Sequence, residues 1–311
     1  GLGVRRYIPK TGQLMLLPNW IVAKYLIEKW NPDIVHETYY SGTSCAPRNT
    51  CKVLTVYDMI HEKFSQLGSR WDRSALLKRI AVDRADHVIC ISDSTRNDLL
   101  ELHDVDPKKV SVVHLGAERP ICGSGKEVPP KKGARPYLLY VGARQGHKNF
   151  TGFLKAFASS RKLRKDFDVV AFGGGGYTPV ELQQLARLGL DPNRVRHLSG
   201  GDDVLSQFYT HASAFIYPSL YEGFGLPPIE AMGHQCPVVS SNTSSMPEVI
   251  GDAGEYFDPN SDCDMAEAIE RVVYSPSRIT DLVSKGLERQ AKFTWERCAD
   301  QTLNVYRQLV A

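Results

Sequence analysis

Tyr217-Pro-Ser-Leu-Tyr-Glu-Gly-Phe-Gly-Leu-Pro-Pro-Ile-Glu-Ala-Met232 is the stretch from which the fold is read. It places two carboxylates, Glu222 and Glu230, on either side of a Gly-x-Gly loop that runs into a proline-started turn. The apolar run before it, residues 214–217, has the length and composition of a buried strand. Gly223 and Gly225 let the backbone approach a ligand closely or take a positive φ. Pro227 and Pro228 suit the first turn of a helix, where a missing N–H costs nothing. The free N–H groups and the positive dipole end of such a helix face outward and suit a phosphate. One carboxylate precedes the helix and the other lies in its first turns, so both border one cleft. Carboxylates accept hydrogen bonds from sugar hydroxyls, so the pattern fits a ligand that is part phosphate and part polyol.

Outward from this block, strands and helices alternate, the pattern of parallel sheets with crossover helices. In the first part, 33–36, 53–57, 87–91 and 110–114 read as strands, with helices at 74–84 and 94–102. A stretch rich in Gly, Pro and Lys, with no apolar period, then breaks the pattern. The second part restarts with strands at 137–141, 168–172, 195–198, 214–217 and 237–240. Helices follow from Phe150, Pro179, Asp203 and Pro227, and over 262–274 and 278–292. The helix predicted over 295–310 puts Trp295, Ala299, Leu303 and Tyr306 on one face. The predicted organisation is a first βα domain over 1–120, a linker over 121–134, a second βα domain over 135–292 and a terminal helix over 293–311. A ligand in such an arrangement binds at the carboxyl ends of the strands, in the cleft between the domains.

The turn Val141-Gly-Ala-Arg-Gln-Gly-His-Lys148 joins a strand end to a helix. Its two cations, Arg144 and Lys148, can hold a diphosphate, Arg by its planar fork and Lys as a point charge. The run Gly173–Gly176 ends another strand and can admit a ligand to the backbone or serve as a flexible turn. Gly-x-Gly-x-x-Gly is absent, which argues against a nicotinamide site.

Composition narrows the classes further. The 311 residues are 42% hydrophobic and 23% charged, as in ordinary globular proteins. No apolar run reaches the roughly 18 residues that mark a membrane span. Seven cysteines show no C-x-x-C or ligand-like spacing, which points to a reducing, cytoplasmic setting rather than a disulfide framework. The net charge of +3 is too small to argue for nucleic acid. Its excess falls in residues 1–115, where 16 Lys and Arg meet 13 Asp and Glu, enough for weak peripheral attraction to an anionic membrane face.

The block around Glu222 and Glu230 resembles the Glu-x7-Glu motif of retaining glycosyltransferases of family 4. The resemblance extends over nearly the whole chain: the linker, Tyr140-Val-Gly-Ala-Arg144 with Lys148-Asn149, the glycine run, Ser244-Ser-Met-Pro-Glu248 and Trp295 fall in the family's order. It implies a GT-B fold, an α/β architecture of two Rossmann-like βα domains facing across a cleft, the last helix crossing back onto the first domain. It implies a nucleotide-sugar donor, GDP-mannose by expectation with a UDP-sugar as the alternative, a glycan or lipid-linked acceptor, and no metal or cofactor. By the same resemblance Glu230 binds the ribose and Glu222 the donor sugar. The backbone of Gly223, Phe224, Gly225 and Leu226 approaches sugar and phosphate, while Gly142, Arg144 and Lys148 border the diphosphate. The loop 197–203 borders the base.

The first domain departs from the family pattern. Relatives open with a strand and a Gly-rich loop; here Gly1-Leu-Gly-Val-Arg-Arg-Tyr7 has no strand before it, so the first domain reads as incomplete. Many relatives carry His-Asp where this chain has Tyr57-Asp58. Asp58 and, one short turn on, His61 are the candidates for the side facing the anomeric centre. His36 and Glu37 end a neighbouring strand on the acceptor side, and Ser92 and Ser94 cap a helix whose end could receive an acceptor phosphate. A non-catalytic nucleotide-sugar-binding protein, or another GT-B enzyme such as an epimerase, is the competing reading.

Overall fold

The computed structural model describes residues 12–64, 73–118 and 135–311, which form two separate parallel sheets. The first sheet runs β1 (Ile34–Glu37), β2 (Cys51–Val56), β3 (His87–Cys90) and β4 (Val110–Val112) in that spatial order. The second holds β5 (Tyr137–Val141), β6 (Asp168–Phe172), β7 (Val195–Leu198), β8 (Ala214–Tyr217), β9 (Val238–Ser241) and β10 (Gly254–Phe257). Its order is β10-β9-β8-β5-β6-β7, and every pairing in both sheets is parallel. Parallel neighbours cannot be joined by a hairpin, so each needs a crossover. The helices Phe150–Ser159, Pro179–Arg187, Asp202–His211 and Leu226–Gly233 provide them in the second sheet.

Burial follows from this topology. The four residues of β8, Ala-Phe-Ile-Tyr, are all buried, as expected of a strand covered on both faces. In the first sheet the faces separate by the two-residue period of a strand. Leu54, Val56, Val88 and Cys90 pack to one side with Ala81, Val82 and Leu99. Val53 and Ile89 face the other side, where they meet Val113 and Val305. Val305 belongs to the helix Trp295–Val310, which therefore packs on the first sheet although the chain reaches it from the second.

Some details differ from the sequence reading. The packing face of the terminal helix is formed by Cys298, Val305, Tyr306 and Leu309. Trp295 and Leu303, expected on that face, are 48% and 45% exposed. β10 escaped the reading because Gly-Glu-Tyr-Phe is short and opens on a glycine, a poor strand former. The helix Gly12–Trp30 escaped it because Pro18 lies inside, where proline ordinarily interrupts a helix. The stretch Gly1–Tyr7 and the linker over 121–134 lie outside the described residues.

One feature of the second sheet positions the site. β5 pairs with β6 on one side and β8 on the other, so strand order reverses between β5 and β8. Crossovers leave a crevice at the carboxyl end of such a switch. The two loops emerging there carry Gly142 to Lys148 and Pro218 to Gly225.

Candidate active site

Glu222 and Lys148 meet in that crevice. The Lys148 ammonium donates to both carboxylate oxygens of Glu222, at 2.7 and 3.0 Å. Glu222 is 7% exposed, and its carboxylate is among the influences, after burial, that raise the pKa of the buried Tyr217 phenol. Its backbone is fixed by the serines of the Ser244-Ser-Met-Pro-Glu248 segment. Its N–H donates to Ser244 Oγ at 3.3 Å, and its carbonyl accepts from Ser244 and from Ser245 at 2.5 and 2.9 Å. Among the described residues nothing accepts from the N–H groups of Gly223, Phe224 and Gly225. Gly225 takes φ of +116°, a conformation open to glycine, and starts the helix Leu226–Gly233. This is the donor array expected of an anion or polyol site.

Glu230 lies on that helix, half-buried, with the phenol of Tyr209 donating to it at 3.2 Å. Burial raises its pKa above the ordinary carboxylate value, and the Tyr209 bond opposes this only in part. Gly142 has φ of +127° and no atom within 4 Å of where a β-carbon would sit, so it is a bend with open space above it.

Arg144 is placed differently from the expectation of a free diphosphate fork. It donates to Glu181 at 2.7 Å and to the carbonyls of Gly173, Gly175 and Gly176 at 3.3, 2.7 and 3.2 Å. Its guanidinium lies 4.8 Å from the Tyr177 ring centroid, and its side chain is 5% exposed. Arg144 thus closes the glycine run into a turn. Burial alone would raise the pKa of Glu181, but Arg144 and the Thr178 capping bonds bring it down to about 2. In the neighbouring loop, His197 Nε2 donates to the Gly173 carbonyl at 3.1 Å.

The first sheet meets this crevice through the loop after β2. A β-carbon on Gly223 would stand 1.8 Å from the Tyr57 carbonyl oxygen and 2.9 Å from Asp58 Cβ. Asp58 accepts from the Ile60 N–H at 3.0 Å and lies 3.8 Å from the fully buried Lys78 ammonium. Lys78 also donates to the Asp58 carbonyl at 2.6 Å and to Glu62 at 2.7 Å, which holds the loop rigid. His61 is half-buried on the helix Ile60–Lys63.

His147 is the residue the sequence reading missed. Its ring sits 6.1 Å from that of Phe64 across the cleft, and its carbonyl accepts from Leu220 N–H at 2.7 Å. Burial lowers its pKa, with Glu222 and Asp58 opposing, so the imidazole is neutral at pH 7. Its signal was its place next to Lys148 in the strand-to-helix turn.

Other first-domain candidates fall elsewhere. His36 is held by Thr55 Oγ1 at 2.7 Å and by Tyr306, and Glu37 pairs with Arg84 and Ser44, so both serve packing. Ser92 caps the helix Asp93–Leu102 as expected. The amides of Asp93 and Ser94, the suggested acceptor-phosphate site, instead donate to Glu248 from the other sheet at 2.8 and 3.0 Å. Glu248 also binds His114 at 2.7 Å. Asp93, His114 and Glu248 form a trio of metal-type ligands within 4.8 Å, but the Glu248 oxygens are engaged by these hydrogen bonds.

The chain is similar to known proteins in sequence and fold. Residues 125–289 match the family described as glycosyl transferases group 1, and residues 2–119 match glycosyltransferase family 4. The O-antigen chain mannosyltransferase B of Escherichia coli is 32% identical over 237 residues, covering 74% of this chain and 62% of that protein. An alpha-maltose-1-phosphate synthase of Mycolicibacterium smegmatis is 29% identical over 274 residues, covering 80% of this chain and 70% of that protein. The chain thus spans less than two thirds of the first relative. The structure of a sucrose-phosphate synthase from Thermosynechococcus elongatus superposes with a TM-score of 0.77 at 23% identity, over 99% of this chain and 82% of that one. The fold is GT-B.

Proposed function

Since the chain belongs to the group 1 glycosyl transferases, we propose that it is a retaining hexosyltransferase that moves mannose from a nucleotide sugar to a glycan or lipid-linked acceptor. GDP-mannose is the proposed donor and a UDP-sugar the alternative. The mannose assignment leans on the name of the Escherichia coli relative. The proposed setting is cytoplasmic, after the scattered cysteines, with any membrane contact peripheral. Among the described residues no helix is long and apolar enough to cross a membrane.

The observation that carries this reading is the Lys148–Glu222 pair at the β5/β8 switch, facing the Tyr57-Asp58 loop of the other sheet. In the proposed reaction the diphosphate draws the Lys148 ammonium away from Glu222. Glu222 then meets the hydroxyls of the donor hexose, and Glu230 those of the ribose. Negative charge grows on the leaving diphosphate as the bond from the anomeric carbon to the phosphate oxygen breaks. A fixed cation stabilises that charge, which is the task a divalent metal would otherwise perform. The acceptor oxygen bonds to the anomeric carbon on the same face, and its proton passes to the departing phosphate oxygen, so configuration is retained. The closed cleft excludes the water that would otherwise take the hexose.

The test is a panel of nucleoside diphosphates and nucleotide sugars. A ligand at 100 times its dissociation constant should add about 2.7 kcal/mol of stability. The stabilising nucleotide sugar should then give up its hexose to a glycan acceptor with the anomeric configuration kept, as read by NMR. Binding without transfer to any acceptor tried would favour the non-catalytic alternative; inversion would remove the retaining mechanism.

A further inference from the structure

The segment that carries Glu222 is anchored in both halves of the molecule. Tyr221, its neighbour in the chain, is 4% exposed and packs in the core of the first sheet, beside Leu54, Val56, Met59 and Leu99. Its hydroxyl donates to Asp98 Oδ2 at 2.7 Å and accepts from the Met59 N–H at 3.3 Å. Burial and the Asp98 carboxylate both raise the phenol's pKa, so it stays protonated and able to donate. On the other side of Glu222, the carbonyl of Gly223 accepts from Ser92 Oγ at 2.6 Å and Thr95 Oγ1 at 3.1 Å. Ser92, Thr95 and Asp98 all belong to one first-half element, the helix Asp93–Leu102 and its cap.

Glu222 is therefore bracketed. The residues before and after it are bonded to a helix of the first half, while its carboxylate reaches Lys148 in the second. The two peptides that flank Glu222 are held by Ser244 and Ser245 of the second half, so the first half acts on it one residue away on each side, through the Tyr221 side chain and the Gly223 carbonyl. We propose that Tyr221 is a positioning residue which, through Asp98 and the Met59 amide, makes the placement of the Glu222 carboxylate depend on closure of the cleft. The Met59 amide adjoins Asp58, so the same hydroxyl fixes the loop facing the crevice. The kinetic consequence rests on the glycosyltransferase reading; the structural coupling does not.

The test is Tyr221→Phe in the full chain, which keeps the ring packing and removes only the hydroxyl. Transfer should fall about tenfold in kcat, the usual scale for losing one hydrogen bond to a charged group. KM for the nucleotide sugar and the calorimetric Kd of the nucleoside diphosphate should stay within about twofold, because uniform binding is untouched. Hydrogen exchange at the Met59 amide should accelerate. A wild-type kcat would overturn the proposal, as would a loss of diphosphate affinity equal to the loss of kcat. If the wild-type chain transfers no hexose from any nucleotide sugar, the glycosyltransferase reading fails and the exchange measurement decides alone: unchanged protection of Met59 in Tyr221→Phe would overturn the coupling.

Discussion

The carbonyl oxygen of Tyr57 stands 1.8 Å from the position a β-carbon would occupy on Gly223. No side chain can be accommodated there without moving backbone, and the two residues come from different sheets. The absence of a side chain at Gly223 is thus what lets the halves meet at the Glu222 loop.

Gly223→Ala should accordingly abolish or reduce transfer by at least about 100-fold, since a displacement near 1 Å in a reacting geometry is enough for that. Nucleoside diphosphate affinity should fall less than transfer, because Glu230 and the Lys148 cation remain even if the Gly223 amide is displaced from the donor array. Calorimetry and steady-state kinetics on the same preparation check this; unaffected turnover would mean that the contact is not part of the working state.

Removing Lys148 should act on stability as well as rate. Lys148→Ala leaves the buried Glu222 carboxylate without its cation, a loss of about 1–3 kcal/mol in urea melts. Lys148→Ala combined with Glu222→Gln should recover most of that stability, because no unpaired charge remains, yet transfer should stay roughly 10- to 150-fold or more below wild type. A double variant as unstable as the single one would show that the pair is not the source of the loss.

Glu230 should show opposite effects on folding and binding. Its folded pKa is raised by burial. Any stability from its proton is full below the unfolded value and is lost as pH rises through the folded one, so at pH 7 the charge is a burden on the fold. Glu230→Gln should therefore raise Tm at pH 7 and weaken nucleoside diphosphate and nucleotide sugar alike, since one acceptor oxygen becomes a donor. The Tm gain should shrink at pH 4. A lower Tm at pH 7 would contradict the assignment of burial as the dominant influence.

Acid should weaken the fold in two stages. His36, His87, His147 and His234 have pKa values lowered by burial. Their unfolded counterparts take up protons first, so stability should be flat above pH 6.5 and fall as pH drops below it. Glu181, at about 2 in the folded chain, keeps its contribution above the ordinary carboxylate value and loses it as pH falls toward 2. Chemical melts across pH 3–8 read both stages; constant stability between pH 7 and 5 would count against neutral buried histidines.

Much of this was legible in the sequence, for reasons that can be given residue by residue. β5, β6 and β8 are continuous apolar runs, and a run buried on both faces announces itself without regard to its partners. Gly225, Pro227 and Pro228 encode their helix start locally, so Glu222 and Glu230 could be placed around it. What was not legible depends on contacts across the fold. Nothing near Arg144 in the chain points to Glu181, 37 residues on, which engages it. Glu248 sits on the amides of Asp93 and Ser94 only because two sheets close on each other. His147 and Tyr221 looked like neighbours of interesting residues; their roles come from Phe64 and Asp98, which are remote in sequence.

The packing of Val305 against Val53 and Ile89 also bears on how the protein is made. The helix that covers this face of the first sheet begins about 180 residues downstream of β4, some 10–40 s of elongation at ordinary rates. During that interval the emerging first sheet has one apolar face bare, although all four of its strands are already outside the ribosome. The half synthesised earlier should thus be completed later, and the second sheet, one face of which is covered by a core drawn wholly from residues 138–282, should be the first to become protease-resistant in stalled nascent chains.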